Sequence, residues 1–167
     1  MTHSRVFRLA RVLAHTFCVG LAAVGCGAAQ LPQCKGAEAI TLHVHPAKHL
    51  NPDRAGLPRS VVVRFYQLGD ARPFETSSFD RVWAGAAEGL PKPEQLIALP
   101  GRVQSHALRR DPAARYLAVA ANFREREGDS QWRALVRLPA AQNSCERWVS
   151  DAAPLELTLA DYALRLS

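Results

Sequence analysis

Apolar and polar positions alternate along most of this chain. In AITLHVH (39–45), Ile40, Leu42 and Val44 fall on one face, and Thr41, His43 and His45 on the other. SVVVRFYQL (60–68) sets Val61, Val63 and Phe65 against Val62, Arg64 and Tyr66 and is rich in β-branched and aromatic residues. Both segments predict strands. The same reading predicts strands in EQLIAL (94–99), RVQSHAL (102–108), RYLAVAANF (115–123), QWRALVRL (131–138), PLELTL (154–159) and YALRL (162–166). Turn signals at Pro100-Gly101, Asp111-Pro112 and Gly128-Asp129 separate several of them. In QWRALVRL, Trp132, Ala134, Val136 and Leu138 alternate with Arg133, Leu135 and Arg137. Between Pro73 and Leu90 the period lengthens. Phe79, Val82, Trp83, Ala86, Ala87 and Leu90 share one helical face, Ser77 or Ser78 is placed to cap the first turn, and Pro91 and Pro93 end the element. About eight strands with one inserted amphipathic helix predict a mainly β fold, an antiparallel β-sandwich.

The first segment breaks this pattern. Arg5, Arg8 and Arg11 precede an apolar run from about Val12 to Val24, with no acidic residue among them. That is the layout of an export signal. The run is interrupted by His15 and Thr16 and falls short of the ~20 apolar residues that a spanning helix needs. Ala23-Val24-Gly25-Cys26 then reads as a lipobox, in which Cys26 receives diacylglycerol and an N-acyl chain after cleavage. A plain signal-peptidase site with Cys26 as a bystander thiol is the alternative. Two or three acyl chains anchor stably where one does not, and Gly27 after the cysteine favours the outer membrane. The expected organisation is a lipoprotein signal peptide at 1–25, a lipidated tether at 26–37 and a periplasmic sandwich domain at 38–167.

This organisation changes the composition that matters. Without residues 1–25 the chain has 142 residues, with 18 basic and 15 acidic side chains, a net charge of +3 in place of +6. One ordinary domain is implied, and the remaining Arg residues are spread along strands and loops, which disfavours a nucleic-acid partner. Of four cysteines, Cys18 leaves with the signal and Cys26 carries lipid, so Cys34 and Cys145 remain as a candidate disulfide in an oxidising compartment. Two independent thiols are the alternative.

Candidate chemistry is sparse. His43 and His45, at i and i+2 on one strand face, with His49 nearby, are the one hint of a metal. No further Cys, Asp or His is placed by the sequence to complete a tetrahedral set, and alternation already accounts for the pair as polar residues on a wet face. No metal or other cofactor is therefore expected. Ser105 and His106 are neighbours that point to opposite faces. Glu125, Glu127 and Asp129 beside Arg124 and Arg126 read as a solvated turn. Nucleophile elbows, Gly-rich phosphate loops and Cys-x-x-Cys pairs are missing from the sequence. Neither an enzyme nor a small-molecule substrate is expected.

What stands out is the connection PAKHLNPDRAGLPRS (46–60), about 14 residues with three prolines and one glycine. Simple hairpins use two to five residues. Longer links without structure of their own are often binding elements, and proline reduces the entropy lost on docking. A passive excursion over a sheet edge is the other reading.

The stretch LNPDRAGLPRSVVVRFYQL (50–68) resembles the outer-membrane lipoprotein of type VI secretion systems, the TssJ or SciN family. Phe74 and Phe79 at the start of the helix, YLAVAANFRE (116–125) and the Trp132-Arg133 pair extend the resemblance along nearly the whole chain. The resemblance implies a transthyretin-like β-sandwich on the periplasmic face of the outer membrane. It also implies that the 46–59 loop contacts the periplasmic C-terminal region of the inner-membrane protein TssM, and through it TssL. Carried onto this chain, the contacts are Leu50, Asn51, Pro52, Asp53, Arg54, Gly56 and Pro58. A lipid-anchored sandwich that binds a ligand in an apolar pocket is the alternative function.

Overall fold

The structure, a computed structural model, describes residues 39–125, 131–139 and 153–167. Its elements run β1 (Ala39–Pro46), β2 (Val61–Leu68), α1 (Arg72–Glu75), α2 (Phe79–Trp83), β3 (Glu94–Ala98), β4 (Gln104–Arg109), β5 (Tyr116–Ala121), β6 (Arg133–Arg137), β7 (Leu155–Ala160) and β8 (Ala163–Leu166). The strands form two four-stranded sheets, ordered β4-β1-β7-β8 and β3-β2-β5-β6. The expected mainly β sandwich is present, with strand limits within two residues of those read from alternation.

The inner faces meet in one core. Leu42, Val44, Leu157 and Leu159 from the first sheet are fully buried, as are Val63, Leu117, Val119 and Ala121 from the second. β5 is buried on both faces because helices cover the outer side of its sheet. There, Ala118 and Ala120 pair with Tyr66 and Arg64, and their small side chains leave room for the layer above.

Three expectations are corrected. The sandwich is not wholly antiparallel, because β1 and β7 pair in parallel, Leu42 opposite Leu155 through Pro46 opposite Leu159. Strands separated by more than 100 residues carry no hairpin constraint on their sense, so this pairing is decided by how the chain crosses between sheets. The single helix over 73–90 is two short helices. Thr76 Oγ1 donates to Arg72 O (2.9 Å) and Ser77 Oγ to Pro73 O (2.7 Å), competing with the backbone ladder. Ser78 is extended (ψ 159°) at the start of α2 and makes no side-chain cap bond. Gly85, at φ +71°, follows α2, and Ala86 is exposed. Finally, Trp132 does not continue the alternation of β6. It precedes the strand and lies against Phe79 (5.2 Å, edge-on) and Phe74 (6.1 Å).

Two arginines fasten the helices to the sheet. Arg64 Nη1 donates to Trp83 O at 2.7 Å, with its guanidinium 4.0 Å from the Trp83 ring centroid. Arg133 Nη1 donates to Ser77 O and Phe74 O (2.9 and 3.1 Å) and lies over Trp132. The free carbonyls at helix ends thus receive charged donors. Tyr66 adds a bond from its hydroxyl to Val82 O at 3.4 Å, and burial raises its pKa, so the phenol stays a donor.

Candidate functional site

The long connection between β1 and β2 is an ordered loop with an inner and an outer part. Leu50 and Asn51 form the inner part, 0% and 3% exposed. Asn51 sits at φ +48°, a left-handed conformation that asparagine tolerates better than most residues. Its N–H donates to Asp161 O (2.7 Å), its Oδ1 accepts from Arg124 N (2.8 Å), and its Nδ2 donates to Ser60 O (3.3 Å). One side chain therefore joins the loop to the end of β5 and to its own return strand. Tyr162, in the two-residue turn between β7 and β8, donates from its hydroxyl to Pro52 O at 2.8 Å. Loss of solvation, reinforced by the Glu125 charge, raises the Tyr162 pKa and keeps this donor protonated.

The outer part is closed by Asp53. Its Oδ1 accepts from Ala55 N (2.9 Å) and Leu57 N (3.0 Å), and its Oδ2 accepts from Nε and Nη2 of Arg59. Backbone bonds from Gly56 N to Asp53 O (2.8 Å) and from Asp53 N to Leu57 O (2.9 Å) complete the turn. Gly56 supplies the positive φ (+75°) that the turn requires. The hydrogen bond from Arg59, followed by that from Leu57 N, holds the Asp53 carboxyl below its ordinary range. Arg54, Ala55, Gly56, Leu57 and Pro58 are exposed, so a tip closed from within presents one large apolar side chain, Leu57, at 55% exposure.

The expected contacts thus divide. Pro52, Asp53, Arg54, Gly56 and Pro58 lie at or near the surface, whereas Leu50 and Asn51 are turned inward and shape the loop instead of offering side chains to a partner. Leu57 lies outside the expected set, because a leucine in a loop reads as core until the turn around it is known. Residues Cys26, Cys34 and Cys145, with the lipidation and disulfide assigned to them, lie outside the described residues, as do the signal and tether.

The histidines also divide. His43 and His45 project from β1 beside Glu156 of β7: His43 Nδ1 is 3.2 Å from Glu156 Oε1, and His45 Nε2 is 2.6 Å from Oε2. His49 lies in the loop and is exposed. Glu156 carried no signal in the sequence, since only the parallel β1–β7 register brings it opposite His43. An open groove of about 520 Å³ lies over the β7–β8 hairpin, lined by Thr158, Asp161, Tyr162 and Arg165 among others. No helix among the described residues is long and apolar enough to cross a membrane.

Residues 38–162 match the type VI secretion lipoprotein family T6SS-SciN, which comprises VasD, EvfM and TssJ. No curated protein matches the chain in sequence. Among solved structures, the chain is similar to one described as the type VI secretion protein TssM C-terminal domain from EAEC. The two are 25% identical with a TM-score of 0.63, over 77% of this chain and 97% of the other. A chain of a type VI membrane complex is likewise 25% identical, with a TM-score of 0.64 over 79% and 99%. The lipoprotein TssJ1 from Pseudomonas aeruginosa shares the fold at 20% identity, with a TM-score of 0.63 over 79% and 96%.

Proposed function

Because the chain belongs to the type VI secretion lipoprotein family of VasD, EvfM and TssJ, we propose that it anchors the trans-envelope complex of such a system to the outer membrane. Cys26 carries the lipid, the sandwich stands on the periplasmic side, and the 46–59 loop binds the periplasmic C-terminal region of a TssM-like protein, coupling it through TssM to TssL. The role is mechanical and needs no catalysis.

The observation that carries this reading is the construction of the loop. Its inner half is tied to β5 and to the β7–β8 turn through Asn51 and Pro52, and its tip is locked by Asp53 around exposed Leu57 and Pro58. A loop already held in one conformation loses little entropy on docking, and exposed Leu57 and Pro58 offer apolar surface at its tip. Similarity to chains of structures described as the TssM C-terminal domain and a type VI membrane complex supports the choice of partner.

The test is calorimetric titration of the full chain, purified in detergent, with the periplasmic domain of the TssM-like protein of the same system. Leu57→Asp should weaken binding at least tenfold, about 1.4 kcal/mol, and leave the melting temperature unchanged. Absence of binding by the folded wild-type chain would overturn the tether. Full affinity in both Leu57→Asp and Arg54→Glu would remove the site from the loop.

A further inference from the structure

The geometry points to a divalent transition-metal site on the outer face of the first sheet, formed by His43, His45 and Glu156. One ligand atom from each lies within 4.8 Å of the other two. Tetrahedral zinc bonded at about 2.0–2.1 Å to nitrogen or carboxylate oxygen places its ligands roughly 3.3 Å apart. His43 Nδ1 stands 3.2 Å from Glu156 Oε1, the spacing expected where that carboxylate oxygen is the ligand. His45 Nε2 lies 2.6 Å from the other carboxylate oxygen, Oε2, so the three ligand atoms, within 4.8 Å of one another, have to draw together around one ion.

The scaffold makes this more than three polar groups meeting on a surface. β1 and β7 are the two central strands of their sheet, and the opposite face of both is the fully buried layer of Leu42, Val44, Leu157 and Leu159. The backbone under the ligands is therefore held on both sides and from below. Parallel register sets Glu156 beside His43 and Thr158 beside His45, so the carboxylate reaches diagonally between the two imidazoles and serves both.

The donor set selects the ion. Two imidazoles with one carboxylate suit zinc, copper(II) or nickel(II), whereas calcium and magnesium require oxygen donors. Side chains 40–43% exposed leave an entry path and leave open positions for water. Binding of this kind is exchangeable, unlike that of a closed structural centre. Its structural consequence is a staple between strands whose ligands stand 113 and 111 residues apart in sequence.

Zinc chloride provides the probe. The full chain in detergent, with its thiols alkylated so that cysteine cannot compete, should bind one zinc ion per chain and melt at a higher temperature with zinc than without. Glu156→Gln and His45→Asn should each weaken binding at least about tenfold, the lower end of the loss from removing even an outer-shell partner. His49→Asn, in the exposed loop, should bind as the wild type does. Long-range proton–nitrogen spectra of the wild-type imidazoles supply a readout that needs no variant: zinc should shift Nδ1 of His43 and Nε2 of His45. Lack of saturable binding, unchanged affinity in the Glu156 and His45 variants, or zinc-induced shifts confined to other histidines would each overturn the site.

Discussion

Arg124 donates its backbone N–H to Oδ1 of Asn51 across 2.8 Å, joining residues 73 apart in sequence at the base of the β1–β2 loop. Asn51 is 3% exposed and holds a positive φ, so two independent terms depend on it. Asn51→Ala removes the partner of the Arg124 N–H and the Ser60 carbonyl in two part-buried hydrogen bonds, at about 1–3 kcal/mol together. It also forces a Cβ-bearing residue without a compensating side chain into the left-handed region, at roughly 1 kcal/mol. Urea denaturation should show a total loss of about 2–4 kcal/mol. Asn51→Gly should lose about 1 kcal/mol less, because only the hydrogen-bond term remains.

Asp53 gives the loop tip an acid limit. Arg59 and the Leu57 N–H hold its carboxyl below the ordinary value of 3.8. A depressed pKa in the folded state means that the ionised form favours the closed turn. This contribution is complete above the unfolded value and disappears as pH falls through the lower folded one. Amide signals of Ala55 and Leu57 should therefore stay constant from neutral pH down to about 4 and move together only below it. A shift of both amides centred near pH 6 would assign the turn to another group.

Arg64 fastens α2 to the sheet. Its bond to Trp83 O and its position over the Trp83 ring combine a charge-assisted hydrogen bond with a cation–π contact. Arg64→Met keeps most of the aliphatic packing and removes both, and should lower stability by about 2 kcal/mol. Denaturation followed by tryptophan fluorescence reads the loss, and an unchanged midpoint would show that packing alone holds α2.

The proposed lipid anchor is separable from the fold. Cys26→Ser should yield a domain with wild-type thermal stability that fractionates with the periplasm and no longer supports secretion. Normal membrane partition and secretion by this variant would remove the tether.

Much of the architecture was legible because alternation is a local property. Ile40, Leu42 and Val44, or Val61, Val63 and Phe65, declare a strand with one buried face wherever the partner lies. The helical segment departs from its pattern for the opposite reason. Its apolar spacing suits one helix, but Thr76 and Ser77 satisfy the backbone with their own hydroxyls and Gly85 follows α2, so short-range hydrogen bonding overrode the longer period. Trp132 leaves the set that alternation predicts because aromatic partners on α1 and α2 determine where its ring lies.

The sequence by itself determined the order of the strands, the apolar face of most of them, the export-signal pattern and the existence of a long proline-stiffened loop after β1. Each of these depends on neighbours within a few residues. Only the tertiary structure decided the parallel pairing of β1 with β7, the meeting of Glu156 with His43 and His45, and the inward turn of Leu50 and Asn51 that leaves Leu57 at the tip. These relationships join residues tens to more than a hundred positions apart. They follow from the packing of two sheets on a shared core, which no local pattern specifies.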